Sequence, residues 1–385
     1  MAKQKPNVDL KDQLAEDVTS AINKKFKDYA GGAFQLLSDA NLVTAWCPTG
    51  NDILDLAISN RPHGGLGYGT VVEFAGLEGS GKSLLAAHVL CECQKQGGLA
   101  VLYDTEKAVG MLDFYVSLGL NPAKVLYTDK LRALEEIYES IELIIERSIA
   151  TDKDRPITIV VDSVMGASTL LELEADYEKD GYATTKAIVN SKAMRKIPSL
   201  IAGRKILIVL INQLRANMAA VGFGSDKWTT SGGVAIPFTA STRLRFSKLG
   251  QIKGKINEIE TAIGERIQVQ IVKNRLGPPR RKIVFDVFYD GGIDNYGSWL
   301  QCLKDTGVVS QSGKSYTYRY IDVDTGEEIT HKFMSKDFPA LLNSNPDLKN
   351  VIYQNICDEF IMPYSSHSGF DIDKEDLHID SNLDD

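Results

Sequence analysis

From Thr70 onward the chain alternates short apolar runs with amphipathic stretches. The runs "TVVEFA", "LAVLYD", "ITIVVD" and "KILIVLI" are apolar at most or nearly all positions. Successive side chains of a strand point to opposite faces, so such runs fit strands covered on both sides, as in the centre of a parallel sheet. Between them, "LLAAHVLCECQ" reads as a helix. In "LRALEEIYESIELIIERS", Leu131, Leu134, Ile137, Ile141 and Ile144 recur at helical spacing. The alternation predicts an α/β fold with a mostly parallel central sheet, flanking helices and right-handed crossovers. Further on, "TRLRFSKLG", "ERIQVQIV" and "KIVFDVFYDGG" are joined by short turns and predict strands extending one edge of that sheet. Upstream, "LKDQLAEDVTSAINKKF" predicts a polar helix. The expected organisation is an N-terminal segment over 1–45, a core over 46–293, a small mixed domain over 294–368 and an acidic tail over 369–385.

One stretch breaks the pattern. "NQLRANMAAVGFGSDKWTTSGG", Asn212 to Gly233, has neither helical nor alternating periodicity. Long loops of this kind are usually functional or disordered. It offers positive charge at Arg215 and Lys227, aromatic faces at Phe223 and Trp228, and backbone freedom at Gly232 and Gly233. That mixture fits a nucleic-acid strand.

Charge distribution sharpens the picture. The net charge of -8 is carried largely by "FDIDKEDLHIDSNLDD" at the C-terminus, with seven acids and one lysine. Between Gly203 and Asn257, nine Lys or Arg residues face one acid, Asp226. Phosphate binding responds to local potential rather than the total, so this segment is compatible with nucleic acid. Five scattered histidines and five cysteines without paired spacing predict reduced thiols and no zinc cluster. The longest aliphatic run, "ILIVLI", is too short to span a bilayer, and residues 1–25 carry no apolar leader. A cytoplasmic protein without a membrane partner is the expectation.

The candidate chemistry lies at the ends of the apolar runs. "GLEGSGKS", Gly76 to Ser83, follows a strand and precedes a helix, in the pattern of a phosphate loop. The backbone of Gly76, Leu77, Glu78, Gly79, Ser80 and Gly81 and the helix N-terminus can surround phosphate oxygens. Lys82 would neutralise phosphate charge, and Ser83 would ligate Mg2+. Asp162 ends "ITIVVD", at the strand edge where open α/β sheets bind ligands, and is the second candidate for the metal. By itself an aspartate there also suits a turn or a helix cap. Glu106 ends "VLYDTE" and is a candidate base for water attacking ATP; a surface acid paired with Lys107 is the competing reading.

In order along Val43 to Val308, "PTGNDILDLAI", "GLEGSGKS", "YDTE", "VVDS", "SKAMRKI", "INQLR", "TTSGG", "VKNRLGPP" and "YDGGIDNYG" resemble the RecA-type DNA recombinases, and more closely their phage UvsX branch. The resemblance implies a RecA-type P-loop ATPase core using ATP and Mg2+, with Glu106 activating water and Asp162 supporting the metal. It implies that Gln213 senses the γ-phosphate and couples it to the following loop. Lys273 and Arg275 match two basic residues that reach a neighbouring subunit's ATP, where the family more often has lysine at the second position. Phe114 matches an aromatic that stacks on adenine, with Tyr115 as the alternative. The segments near Glu174–Lys186 and Asn212–Gly233 match loops that face DNA.

The N-terminal segment would mediate polymerisation into a helical filament with ATP between subunits. The implied function is homologous pairing and strand exchange on single-stranded DNA and a homologous duplex, in recombination, repair and recombination-dependent replication. Mediator and single-strand-binding proteins are expected partners, and DNA-bound protein would be nucleoid-associated. A hexameric helicase and a non-catalytic ATP-binding mediator are the alternatives; the latter is disfavoured by Lys82, Glu106, Asp162, Lys273 and Arg275.

Overall fold

A computed structural model describes residues 13–27, 34–35, 43–107, 112–175, 183–216, 228–321 and 326–362. The chain divides into two compact units, Met1–Thr44 and Ala45–Asp385. In the first, helix α1 (Gln13–Lys25) occupies the polar segment that predicted it. The Asn23 amide exchanges two hydrogen bonds of 2.8 Å with the backbone of Phe34. Leu14, Val18, Phe26 and Phe34 leave apolar surface exposed.

The second unit opens with strands β1 (Trp46–Cys47) and β2 (Leu66–Gly67), paired antiparallel around helix α2 (Asp52–Ser59). Asn51 caps α2 by accepting from the Leu54 N–H at 2.9 Å. The main sheet then begins with β3 (Thr70–Gly76), followed by α3 (Lys82–Lys95), β4 (Leu99–Asp104), α4 (Leu112–Ser117), β5 (Val125–Thr128) and α5 (Leu134–Thr151). Next come β6 (Ile157–Asp162), α6 (Leu170–Glu174), α7 (Ala183–Ile201), β7 (Ile206–Ala216), β8 (Trp228–Thr230), α8 (Ala235–Thr239), β9 (Thr242–Ile256), β10 (Ile259–Asn274), β11 (Lys282–Phe288) and β12 (Gly292–Ile293).

The strand order is β12-β11-β10-β9-β3-β7-β6-β4-β5, with β8 added antiparallel to the far end of β7. Strands β9, β3, β7, β6, β4 and β5 are parallel, as the apolar runs predict. The strands β10 to β12 continue antiparallel from β9 and extend one edge. Asn257 and Glu258, both at positive φ, turn β9 into β10, the backbone sense that matches the twist of a tight hairpin.

Strand alternation divides the core. Val72, Phe74, Leu102, Val160, Val209 and Ile211 join one apolar cluster, whereas Val71, Val101, Ile159, Ile208 and Leu210 join the other with α5 and α7. Helix α5 starts three residues beyond Leu131, which packs at the margin, and Ile145 rather than Ile144 completes its buried stripe. The 3.6-residue period drifts against a simple 3-4 spacing, so over four turns the buried position moves by one residue.

After the sheet come α9 (Asn295–Asp305), an antiparallel β13 (Val309–Ser312), β14 (Ser315–Ile321) and β15 (Glu328–Met334), then α10 (Phe338–Ser344) and α11 (Pro346–Phe360). Trp299, Tyr318, Phe338 and Tyr353 belong to the same apolar cluster as α2 and β3. Polar contacts seal this joint: Trp299 Nε1 donates to Asp52 at 2.9 Å, and the Tyr353 hydroxyl accepts from the His63 N–H at 2.8 Å. Among the described residues, no helix is long and apolar enough to cross a membrane.

Candidate nucleotide and DNA site

The parallel strands β3, β4, β6 and β7 end on the same side of the sheet, which brings four sequence segments together. At the end of β3 the loop Leu77–Gly81 turns into α3. Gly81 sits at φ 93°, a backbone conformation that favours glycine, and a Cβ there would have to displace the end of the Ile267 side chain, whose Cδ1 would lie 2.3 Å away. Lys82 is 8% exposed and curls back into the loop, its Nζ donating to the Leu77 carbonyl at 2.7 Å. Burial lowers its pKa, while the charges of Asp162, Glu106 and Glu78 oppose that shift. A buried ammonium held on one carbonyl is poised to exchange it for a stronger anionic acceptor.

Asp162, at the end of β6, lies close enough to the Ser83 hydroxyl for it to favour the ionised carboxylate, so the two residues predicted to share a metal are neighbours. Burial pushes the Asp162 carboxyl up to about 6, with the charges of Glu106 and Asp104 adding to the shift and Ser83 and Lys82 opposing it. An alcohol and a carboxylate form a hard oxygen donor pair suited to Mg2+, and crowded carboxylates gain from a nearby cation. Among the described residues, no three or more His, Cys, Asp or Glu side chains gather into a group that could hold a metal.

Glu106 does not pair with Lys107 as the competing reading has it. Its Oε1 accepts from the Ser163 hydroxyl at 2.5 Å and from Gln213 Nε2 at 3.2 Å. Ser163 is itself held: its Oγ accepts from the Gly166 N–H at 3.1 Å, its N–H donates to Thr105 Oγ1 at 2.9 Å, and its carbonyl accepts from that hydroxyl at 2.7 Å. The Asp162–Ser163 peptide is cis. Sequence reading missed Ser163 as a partner of Glu106, although it closes the quoted "VVDS"; pairing of strands β4 and β6 makes the contact.

Gln213 and Arg215 both lie within β7, so the first five residues of the stretch that lacked strand periodicity, Asn212 to Ala216, are strand; the Arg215 guanidinium lies 3.4 Å from Met165 Sδ. Phe223 and Lys227 lie outside the described residues. Trp228 pairs with Ala216 across β7 and β8, so the two arms of the loop are joined at its base. Gly232 and Gly233 follow at φ 89° and 87°, and the Gly232 carbonyl accepts from Asn190 on α7 at 2.9 Å. Beside them lies an open groove of about 390 Å³ lined by Ile188, Ser191, Lys192, Arg195 and Val234. Lys192 and Arg195 are cations that the sequence reading did not single out, although "SKAMRKI" contains both.

Lys273 and Arg275 stand elsewhere. Lys273 Nζ donates to the Pro237 and Phe238 carbonyls at 3.0 and 2.6 Å, and Arg275 reaches the Phe238 carbonyl at 3.0 Å. Both cations therefore rest on the last carbonyls of α8, the helix that follows Gly233. Burial and the charges of Arg275 and Arg243 pull the Lys273 ammonium down to about 8, against the pull of Glu73. Phe114 and Tyr115 form an edge-to-face pair with ring centroids 6.2 Å apart. Both rings are half-buried; Tyr115 packs on the core, and burial raises its phenol to about 12.

Comparison with known proteins identifies the family. A family model described as the RecA N-terminal domain matches residues 15–294. The chain is 31% identical over 362 residues to Protein RecA of Oleidesulfovibrio alaskensis, covering 94% of this chain and 96% of that one. It is 32% identical over 353 residues to Protein RecA of Nitratidesulfovibrio vulgaris, with 91% and 92% covered. With Protein RecA of Campylobacter jejuni it shares 31% over 346 residues, with 90% and 94% covered. A match that spans the phosphate loop, Glu106, Gln213 and both basic positions shows that the chain belongs to the RecA family, the DNA-dependent ATPases of recombination and repair.

Proposed function

We propose that this protein is an ATP-dependent recombinase that forms a helical filament on single-stranded DNA and exchanges strands with a homologous duplex. The observation that carries the reading is the contact of Gln213 with Glu106, because it joins a hydrolytic carboxylate to the strand that leads into the basic loop. Glu106 accepts the proton of the attacking water, and Ser163 orients it. Lys82 leaves the Leu77 carbonyl for phosphate oxygens. Ser83 and Asp162 would hold Mg2+, which would supply charge neutralisation to the nucleotide. Phe114 stacks on the base.

With ATP present, the Gln213 amide exchanges Glu106 for the γ-phosphate and shifts the loop that follows. Arg215, Phe223, Lys227, Trp228, Gly232 and Gly233 then meet the DNA strand, with Lys192 and Arg195 in the adjoining groove contacting its phosphates. Backbone binding of this kind leaves the bases free to test homology by pairing. Lys273 and Arg275 serve the neighbouring subunit's nucleotide and leave the α8 carbonyls to do so. The exposed apolar side chains of Leu14, Val18 and Phe26 are the surface that the N-terminal unit offers to another copy. The acidic tail competes with DNA for the basic groove, and the protein works in the cytoplasm, assisted by mediator and single-strand-binding proteins, in replication as well as repair.

The test measures ATP hydrolysis and joint-molecule formation together, with homologous and heterologous duplexes. The recombinase reading expects hydrolysis to rise with single-stranded DNA and joints to need homology. Homology-independent unwinding would point instead to a helicase, and ATP binding without turnover to a mediator.

A further inference from the structure

Four polar side chains form a row across four adjacent strands on the sheet face that carries α8. Glu73 of β3 lies opposite Arg243 of β9, and Arg243 lies opposite Lys273 of β10. Asn212 of β7 stands two residues beyond Leu210, the register partner of Glu73, and so shares its face. Glu73 is fully buried; its Oε2 accepts from Arg243 Nε at 2.5 Å and its Oε1 from Asn212 Nδ2 at 3.1 Å. The same Asn212 nitrogen donates to the Ser231 carbonyl at 3.0 Å, and Asn212 Oδ1 accepts from the Gln213 N–H at 3.0 Å. The carboxylate and the carbonyl are acceptors and the amide N–H a donor, so all three neighbours demand this orientation of the Asn212 amide.

A buried ion pair is a poor way to stabilise a sheet, because well-packed apolar residues do as well or better. Its better attested use is to fix register. Here the row fixes the residue before Gln213 and the backbone just ahead of Gly232, and it seats Arg243 opposite Lys273 on the neighbouring strand, where its charge acts on the Lys273 ammonium.

We propose that Asn212, Glu73 and Arg243 are positioning residues that transmit the nucleotide state from Gln213 to the DNA-facing glycines and to Lys273, so that DNA binding and ATP hydrolysis report on each other. This rests on the recombinase reading above. The three residues touch neither phosphate nor DNA in the scheme; they act through Gln213, Ser231 and Lys273.

The experiment uses the full chain with oligo(dT), and compares wild type with Asn212→Ala, the near-isosteric Asn212→Leu and Glu73→Gln. Hydrolysis is measured with and without oligo(dT), and oligo(dT) affinity by anisotropy with a slowly hydrolysed ATP analogue and with ADP. Folding is checked by thermal melting, and whichever Asn212 variant melts like wild type decides the outcome. The proposal expects DNA-independent hydrolysis to stay within about threefold of wild type, while stimulation by oligo(dT) falls about tenfold or more, the scale of losing a hydrogen bond to a charged group. The ratio of oligo(dT) affinities between the two nucleotides should collapse towards one. Glu73→Gln retains an acceptor for Asn212 and should keep more of the stimulation than either Asn212 variant. Full stimulation in a folded Asn212 variant would overturn the proposal, as would equal loss of stimulated and unstimulated rates. Wild-type hydrolysis indifferent to DNA would remove the recombinase reading itself and the role of the row with it.

Discussion

Ser163→Ala removes the shortest contact made by the proposed base. In the wild type the Ser163 hydroxyl donates to Glu106 Oε1 at 2.5 Å, while Gln213 reaches the same oxygen at 3.2 Å. The substitution leaves only the longer bond and takes away the acceptor of the Gly166 N–H. A hydrogen bond to an ionised group contributes about 1.5–3 kcal/mol. If that energy holds Glu106 in its reactive pose, its loss slows the chemical step about 10- to 100-fold. The nucleotide contacts proposed for Lys82 and Ser83 are untouched, so KM for ATP should change by less than about twofold. Steady-state hydrolysis at saturating single-stranded DNA, with single-turnover measurements to isolate chemistry, tests this. An unchanged kcat would refute the orienting role, and a faster rate would mean that Ser163 restrains Glu106 in a resting pose. Loss of affinity with kcat intact would place Ser163 in nucleotide binding instead.

Other expectations follow from the same contacts. Lys82→Ala should abolish hydrolysis and weaken ATP binding while the thermal midpoint stays near wild type; normal turnover would reject the phosphate site. Asp162 is held up to about 6, so in the nucleotide-free protein it is protonated below that pH and ionised above it. Mg2+-dependent ATP affinity should therefore fall as pH drops through about 6, and a flat titration from 7 to 5 would exclude Asp162 as a ligand. Its folded value exceeds the unfolded one, so its favourable contribution to stability is complete only below the unfolded value and is lost as pH rises through about 6. Lys273 is held near 8, so kcat/KM should decline on the alkaline side from about that pH, and Lys273→Arg should move the decline upward; an unmoved limb would assign it to another group. Trp299 is almost fully buried in the cluster shared with α2, so Trp299→Ala should cost about 3–5 kcal/mol and lower the melting of the main sheet; a shift confined to a separate transition would contradict the shared core.

The parallel sheet was legible because both faces of its central strands are covered, which leaves continuous apolar runs in the sequence. The phosphate loop was legible because phosphate binding imposes glycines and a lysine at fixed offsets on one local turn. Glu106 and Gln213 were named from the sequence, yet their contact was not visible there: 107 residues separate them, and only the pairing of β4, β6 and β7 brings them together. Ser163 and Asn212 were missed for the same reason, since a serine or an asparagine at a strand end reads as a turn residue until its partners are known. The resting contacts of Lys273 and Arg275 with α8 involve backbone carbonyls, which no residue type announces. Two of the proposed DNA contacts, Phe223 and Lys227, lie outside the described residues and stand on the sequence reading alone.

In the proposed function, ATP turnover at Glu106 is coupled to pairing of homologous DNA. Its most direct test follows joint molecules from single-stranded DNA and a labelled duplex while phosphate release is recorded, using wild type and Glu106→Gln. ATP-dependent joints should form only with the homologous duplex. Glu106→Gln should still bind ATP and DNA but release phosphate at least about tenfold more slowly. Joints that form equally well with heterologous duplex, or phosphate release unchanged in Glu106→Gln, would contradict that function.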